Sequence, residues 1–410
     1  MQMIVNSIST NNYIQSCAGT VFTVLVRHAF IEHQNEFNNL RNFSYVHGLL
    51  QYPKWSPNSD IFQFIDPVHL KKMQDKKSFF VFDASTEGFS PTAEFPFFEM
   101  LYFNCQKYKV DPGMIIYVSS NLQDEKNIQQ YAKEKNYSPF NVFSFLSFEQ
   151  VLAIDDRKGK EEAESQLRTA IDKCKEHFKD KFFSSLSRVN RIYRTIGTFL
   201  LCQSEIAEHG LISHDKFAVH KEFIGQWLIN YGLADVEPKQ FFKWTKTLPK
   251  VVDRDDFNSN WAINTPYRHI HDSTLFQIVN ETLVLDHNET TMFYSEKTFR
   301  PIAYFQPVII YGQPGCNHKL KEIGYKLYDE WFDLSFDFEK DPVLRYKKLL
   351  ESITNTVNKL KAMSREEQIA WRFKNKEILM HNFTTMVNSS YSKDKLVSFL
   401  KDLDKRYEIN

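Results

Sequence analysis

Short runs that are apolar at nearly every position punctuate the first 150 residues: Val21–Val26, Phe79–Phe82, Met114–Val118 and Val142–Phe145. A strand apolar on both faces has no side to give to water. Such runs therefore predict a parallel sheet covered by helices, not an antiparallel sheet open to solvent. Helical stretches at Phe95–Tyr108 and Leu122–Glu134 lie between them. Strand–helix–strand order predicts a doubly wound α/β domain, whose ligands bind beyond the carboxyl ends of the strands.

The pattern starts again later, and 410 residues suit two domains of about 150–200 residues each. The charge-dense interval Asp155–Asp180 reads as a solvated connecting helix and places a boundary near residue 178. Phe182–Leu186 predicts the first strand of a second unit, followed by a helix through Leu200; Leu275–Val279 and Val308–Tyr311 predict further strands. From Pro342 the chain reads as helical. Ser364-Arg365-Glu366-Glu367 has capping-box form, and Ile369, Phe373, Ile378 and Phe383 make a loose apolar row. The expected organisation is a domain over residues 1–177, a second over 178–345, and helices over 346–410 packing back on both.

Only 12 glycines are present, and neither G-x-G-x-x-G nor G-x-x-x-x-G-K-[ST] occurs, which removes the usual support for dehydrogenase or P-loop chemistry. Basic and acidic residues balance at 51 each, so the totals offer no support for affinity resting mainly on phosphate neutralisation. The cysteines Cys17, Cys105, Cys174, Cys202 and Cys316 are odd in number and lack any C-x-x-C, which suits free thiols in a reducing cytoplasm. The polar start and the shortness of the apolar runs predict a soluble protein without targeting segment or membrane span. The 37 Phe fall mostly in apolar runs and read as core, although aromatics could also stack on single-stranded nucleic acid.

Three stretches could carry chemistry. In Phe276–Asp337 a strand ends at Asn280-Glu281-Thr282, a polar loop follows, and Ser295 is placed to cap a helix opening with Glu296-Lys297-Thr298-Phe299-Arg300-Pro301. Unpaired amides at that helix start, with Lys297 and Arg300 nearby, suit a phosphate, and Glu281 or Glu296 could accept from ribose hydroxyls. A surface helix with its own charge pairs would use the same residues. In Phe182–Arg194, Arg188, Arg191 and Arg194 recur every three residues; they read either as phosphate forks or as a solvated basic face. In Phe79–Ser90, Asp83 ends an apolar strand and Glu87 follows in a loop, where a carboxylate could remove an acceptor proton or merely cap a turn. His28 is a further candidate base. His269, His271 and Asp272 have metal-like spacing without a further ligand cluster, which argues against a metal.

Ser295–Pro301 resembles the [ST]-E-K element of fucosyltransferase-like GT-B enzymes and of phage and viral glycosyltransferase-like proteins. The similarity continues through Pro307–Gly312 and Gly324-Tyr325, Trp331-Phe332 and Ser335-Phe336-Asp337. The resemblance implies two Rossmann-like domains facing across a cleft, with a helical C-terminus. It implies that Glu296, Lys297 and Arg300 line a nucleotide-sugar site in the second domain, with Glu281 close by. Glu281 and Glu289 have the E-x7-E spacing of many retaining GT-B enzymes. Phe182–Arg194 resembles the opening of the second domain in the phage group, Arg188 being the favoured phosphate contact although Ser187 stands where Asn is usual. A D-x-S-x-E-G element favours Glu87 as base. The implied function is transfer of a sugar, from a UDP-sugar in preference, to an acceptor hydroxyl without a required metal. A phage enzyme of the host cytoplasm could act in this way on 5-hydroxymethylcytosine in double-stranded DNA, by glucosyl or arabinosyl transfer. A non-catalytic nucleotide-sugar or nucleic-acid binding protein of a phage is the alternative.

Overall fold

A computed structural model describes residues 44–49, 56–85, 88, 96–149, 160–187, 191–217, 220–252, 268–285 and 290–407. Chain contacts divide it into two units. Unit 1 takes Met1–Gln150, Asp286–Phe293 and Ser389–Asn410; unit 2 takes Val151–Leu285 and Tyr294–Asn388.

Unit 1 holds β1 (Ser44–Leu49), α1 (Pro67–Gln74), β2 (Ser78–Ala84), α2 (Phe97–Tyr108), β3 (Ile115–Ser119), α3 (Asp124–Lys135) and β4 (Asn141–Ser144). The strands pair in parallel in the order β1-β2-β3-β4. β2, β3 and β4 are buried almost throughout, as their apolar runs predict. Their faces are closed by Met73 of α1, Phe98, Leu101 and Cys105 of α2, Ile128 of α3, and Leu396, Leu400 and Leu403 of the last helix. The abundant phenylalanines are core here: Phe98 meets Tyr117 and Phe140 edge-on at 5.4 and 5.2 Å. Each fully buried Phe contributes on the order of 2–3 kcal/mol. The strand expected at Val21–Val26 lies outside the described residues, and β1 was not foreseen.

Unit 2 contains α4 (Lys160–His177), β5 (Phe183–Ser187), α5 (Ile192–Gln203), β6 (Gly210–His214), α6 (Ile224–Asn230), α7 (Pro238–Thr245), α8 (Arg268–Ser273), β7 (Phe276–Asn280), α9 (Glu296–Ala303), β8 (Val308–Tyr311), α10 (Cys316–Glu322), α11 (Pro342–Lys361), α12 (Arg365–Phe373) and α13 (Lys376–Asn388). Its strands are also parallel, in the order β6-β5-β7-β8. From β5 the chain moves outward to β6, then returns to the opposite side of β5 as β7 and continues outward to β8. The crossovers on either side of β5 therefore diverge, the topology at which open α/β sheets take ligands beyond the carboxyl ends of their strands. Among the described strands this reversal occurs in the second sheet and not in the first.

The expected boundaries need correction. The charge-dense helix α4 is not a solvated connector ahead of a boundary near 178. Ala163, Leu167, Ala170 and Cys174 fall on one buried face, and α4 packs on α8, α12 and α13 within unit 2. Arg365 of α12 donates to its Lys175 carbonyl at 2.6 Å. Nor do residues 346–410 form one terminal block: α11–α13 belong to unit 2, whereas α14 (Ser390–Arg406) closes the core of unit 1. The Ser364 capping box is present. No helix among the described residues is long and apolar enough to cross a membrane.

Candidate functional site

The carboxyl end of β7 is organised around Glu281. Its amide donates to the Tyr311 carbonyl at 2.9 Å, carrying the β7–β8 pairing one residue further. Its side chain is fully buried. One carboxylate oxygen accepts the Ser295 amide at 3.1 Å and the Thr298 hydroxyl at 2.6 Å; the other accepts the Ser295 hydroxyl at 2.7 Å and the Thr282 amide at 2.9 Å. Four hydrogen bonds fill the capacity of a carboxylate. Glu281 therefore has no vacancy for a ribose hydroxyl, contrary to the sequence expectation. It is a positioning residue that fastens the start of α9 to the end of β7. Gly312, the residue after β8, permits this. A Cβ there would lie 3.4 Å from the Glu281 Cβ and 3.1 Å from the Cys316 sulfur.

Ser295 is the N-cap of α9, accepting the Lys297 amide while it donates to Glu281. The Lys297 ammonium reaches Glu296 at 2.8 Å, the Ser295 hydroxyl at 3.2 Å and the Thr282 hydroxyl at 3.5 Å. From the other side comes Arg194 of α5, which is buried. Its Nε donates to the Glu281 carbonyl at 2.9 Å and a terminal nitrogen donates to the Thr282 hydroxyl at 3.0 Å. Two cations thus converge on one hydroxyl. Burial would raise the Glu296 carboxyl, but the adjacent Lys297 and, further off, Arg300 hold it below the usual glutamate range. Glu296, Lys297 and Arg300 are all half-buried on the first turns of α9.

Next to Glu281 at the end of β7, the Asn280 amide nitrogen bridges the Ser185 and Ser187 hydroxyls of the neighbouring β5 at 2.9 and 3.2 Å. Its buried Oδ1 has no hydrogen-bond partner among the described residues. α5 opens at Arg191, whose side chain makes no cap, and its positive dipole end lies beside the β5 terminus. The start of α10, by contrast, is occupied. The buried Asp337 accepts the amides of Asn317 and His318 at 3.1 and 3.0 Å, so the protein's own carboxylate fills that helix end. The loop after β7 is held from below by Arg345, which donates to the Val284 carbonyl at 2.6 Å.

The structure brings together Glu281, Ser295, Glu296 and Lys297 from the sequence expectation, with Arg300 one turn along α9. Arg191 stands at the α5 start. Arg188, Glu87, His28 and Glu289 lie outside the described residues. Asp83, in unit 1, is buried, and its Oδ1 accepts the Ser85 amide at 3.0 Å, which shapes the turn after β2. That is the turn-capping alternative, not an exposed base. His269 is exposed whereas His271 is buried against Gln306 at 2.6 Å, so the pair does not present a common face to a metal. Among the described residues no group of three or more His, Cys, Asp or Glu could hold a metal ion.

Sequence reasoning missed Asn280 and Thr282 and gave Arg194 only a place in a basic row. A signal for Arg194 existed: it sits in Ile192-Tyr193-Arg194-Thr195-Ile196-Gly197, where an arginine within an apolar helix start must be buried and paired.

No family model matches the chain, and no curated protein matches it. Among solved structures, the N-terminal domain of Candida albicans trehalose-6-phosphate phosphatase aligns over 96% of this chain and 78% of that one, at 9% identity and a TM-score of 0.43. Likeness at that level informs neither fold nor function.

Proposed function

We propose that unit 2 binds a nucleotide sugar at the crest of β5 and β7, and that the chain is a glycosyltransferase of GT-B type delivering the sugar to an acceptor hydroxyl. One observation carries the reading: Arg194 and Lys297 meet at Thr282, beside an uncapped helix start, at the point where the sheet order reverses. A reversal of this kind is where open α/β sheets take ligands. An uncapped helix start with adjacent cations suits a diphosphate.

In this reading Lys297, Arg300 and the α5 dipole meet the charge that develops on the departing diphosphate. Arg191 and Arg188 extend the same phosphate contact, Arg194 fixes Thr282, and Glu281 with Ser295 sets the position of α9. Glu296 is kept ionised by its neighbours and accepts from a ribose or sugar hydroxyl. Glu87 takes the acceptor proton, with Asp83 shaping the turn that leads to it. A UDP-sugar is the favoured donor, no metal is required, and the favoured acceptor is a hydroxymethylated base in DNA within a host cytoplasm.

A thermal-shift screen of UDP-, GDP-, CMP- and ADP-sugars tests the proposal. A donor at roughly 100-fold its dissociation constant adds about 2.7 kcal/mol to stability. A flat response across all four would overturn the reading. Slow release of free nucleotide from the bound donor separates an enzyme from a binding protein.

A further inference from the structure

Between β6 and β7 unit 2 carries an insertion whose helix α7 is two-faced. Phe241 and Trp244 are buried in a cluster with Ile196, Phe199, Ile224 and Leu228. That anchorage leaves Lys239, Lys243 and Lys246 exposed on the other side, at i, i+4 and i+7. At a rise of 1.5 Å per residue the three span roughly 10 Å. Phe242 lies among them, with the Lys246 ammonium 4.7 Å from its ring and the Lys221 ammonium, from the segment before α6, at 5.9 Å. Phe223, two residues beyond Lys221, is 62% exposed.

These four lysines form no ion pair with any described residue. Their behaviour differs from that of many lysines elsewhere, such as Lys71, Lys76, Lys107, Lys297 and Lys348, each of which holds a carboxylate. The carboxylates of residues 220–246 are Glu222, Asp235 and Glu237. Asp235 is taken by Lys347 at 3.1 Å, and Glu237 stands before the first turn of α7, where it favours the helix dipole. Glu222 is exposed beside Lys221 and pairs with no described residue, so the segment sets four lysines against two unpaired carboxylates, an excess of cations around one aromatic ring in a chain of zero net charge. Like charges held together repel one another, and a polyanion would relieve that repulsion.

We propose that the Lys221–Phe242–Lys246 face of α7 is a nucleic-acid binding surface. Lys239, Lys243, Lys246 and Lys221 contact backbone phosphates, and Phe223 offers a stacking face to an unpaired base. The row of roughly 10 Å spans about three phosphate steps of 3.4 Å along a strand, and exposed aromatics beside lysines are the means by which bases are held without sequence readout. The inference does not rest on the donor site.

The test is fluorescence anisotropy of a labelled 20-base-pair duplex and its single strand, from 50 to 200 mM salt, on the full chain. Four phosphate contacts predict that duplex affinity falls by roughly 100-fold across that range. Lys239→Gln, Lys243→Gln and Lys246→Gln together should reduce the fall to about threefold. Phe223→Ala should weaken the single strand by roughly 5-fold or more and leave the salt slope unchanged. The triple variant should keep the wild-type urea midpoint and the wild-type nucleotide-sugar shift, which separates this surface from the donor site. A wild-type salt slope in the triple variant, no binding of either probe at 50 mM salt, or binding to anionic vesicles in place of DNA would overturn the proposal.

Discussion

Glu281 accepts both the amide and the hydroxyl of Ser295, at 3.1 and 2.7 Å, so one buried carboxylate joins the end of β7 to the start of α9. Replacing it by Ala would leave the buried donors of Ser295 and Thr298 and the half-buried Thr282 amide without an acceptor. Glu281→Ala is therefore expected to lower unfolding free energy by about 3 kcal/mol, read from urea titration. A loss under 1 kcal/mol would show that the cap does not depend on it. Ser295→Ala, which removes one cap alone, should cost about 1 kcal/mol.

Lys297 is one-fifth exposed and serves the site more than the core. Lys297→Ala should weaken nucleotide diphosphate binding by roughly 10-fold or more by calorimetry, the worth of a charge-assisted hydrogen bond. Its unfolding midpoint should stay near that of the parent. Arg194→Lys should behave differently. The shorter, single-headed cation cannot serve both the Glu281 carbonyl and the Thr282 hydroxyl, so stability and binding should fall together.

His271 gives the protein an acid limit. Burial, helped by Arg300 and Arg372 and opposed by Gln306, pushes the imidazole from 6.5 down to about 3. The unfolded chain therefore binds a proton that the folded one refuses. The contribution of His271 to stability is full above pH 6.5 and declines on acidification towards pH 3, at about 1 kcal/mol per pH unit in mid-window. The urea midpoint of the parent relative to that of His271→Gln should fall as pH drops from 7 to 4; a difference independent of pH would refute the assignment.

Asp124 works in the opposite direction, within unit 1. It is fully buried and accepts from Ser119 Oγ at 2.5 Å, Asn121 Nδ2 at 2.8 Å and Asn127 Nδ2 at 2.9 Å. Burial raises it from 3.8 to about 8, despite those hydrogen bonds. The folded state therefore retains a proton that the unfolded state gives up, and the stability this adds is lost as pH rises through about 8. Asp124→Asn can keep its oxygen towards the two asparagines and donate to Ser119. The variant should come nearest the parent at pH 4, gain on it as pH rises towards 8 and keep that margin at pH 9 in thermal melts.

Much of the fold is written in local pattern. The runs 79–82, 114–118 and 308–311 became β2, β3 and β8 because burial on both faces leaves an all-apolar signature. β6, Gly-Leu-Ile-Ser-His, escaped because an edge strand can carry polar residues and its His214 is satisfied by Thr195 only in the folded chain. The Ser295 cap was legible, being a contact over two residues. Glu281 was misread because the groups that fill its lone pairs lie fourteen and seventeen residues away, and spacing does not disclose which tertiary partner consumes a carboxylate. α4 was misread for a related reason: its many charges outvote the four small or apolar residues that bury it.

A hydroxyl ordinarily chooses whether to give or to take a hydrogen bond. At Thr282 the choice is already made, because both lone pairs of Oγ1 are engaged by cations. Its proton is left to be handed outward, which makes this side chain a donor of settled polarity: selective for an incoming oxyanion, indifferent to an amide hydrogen.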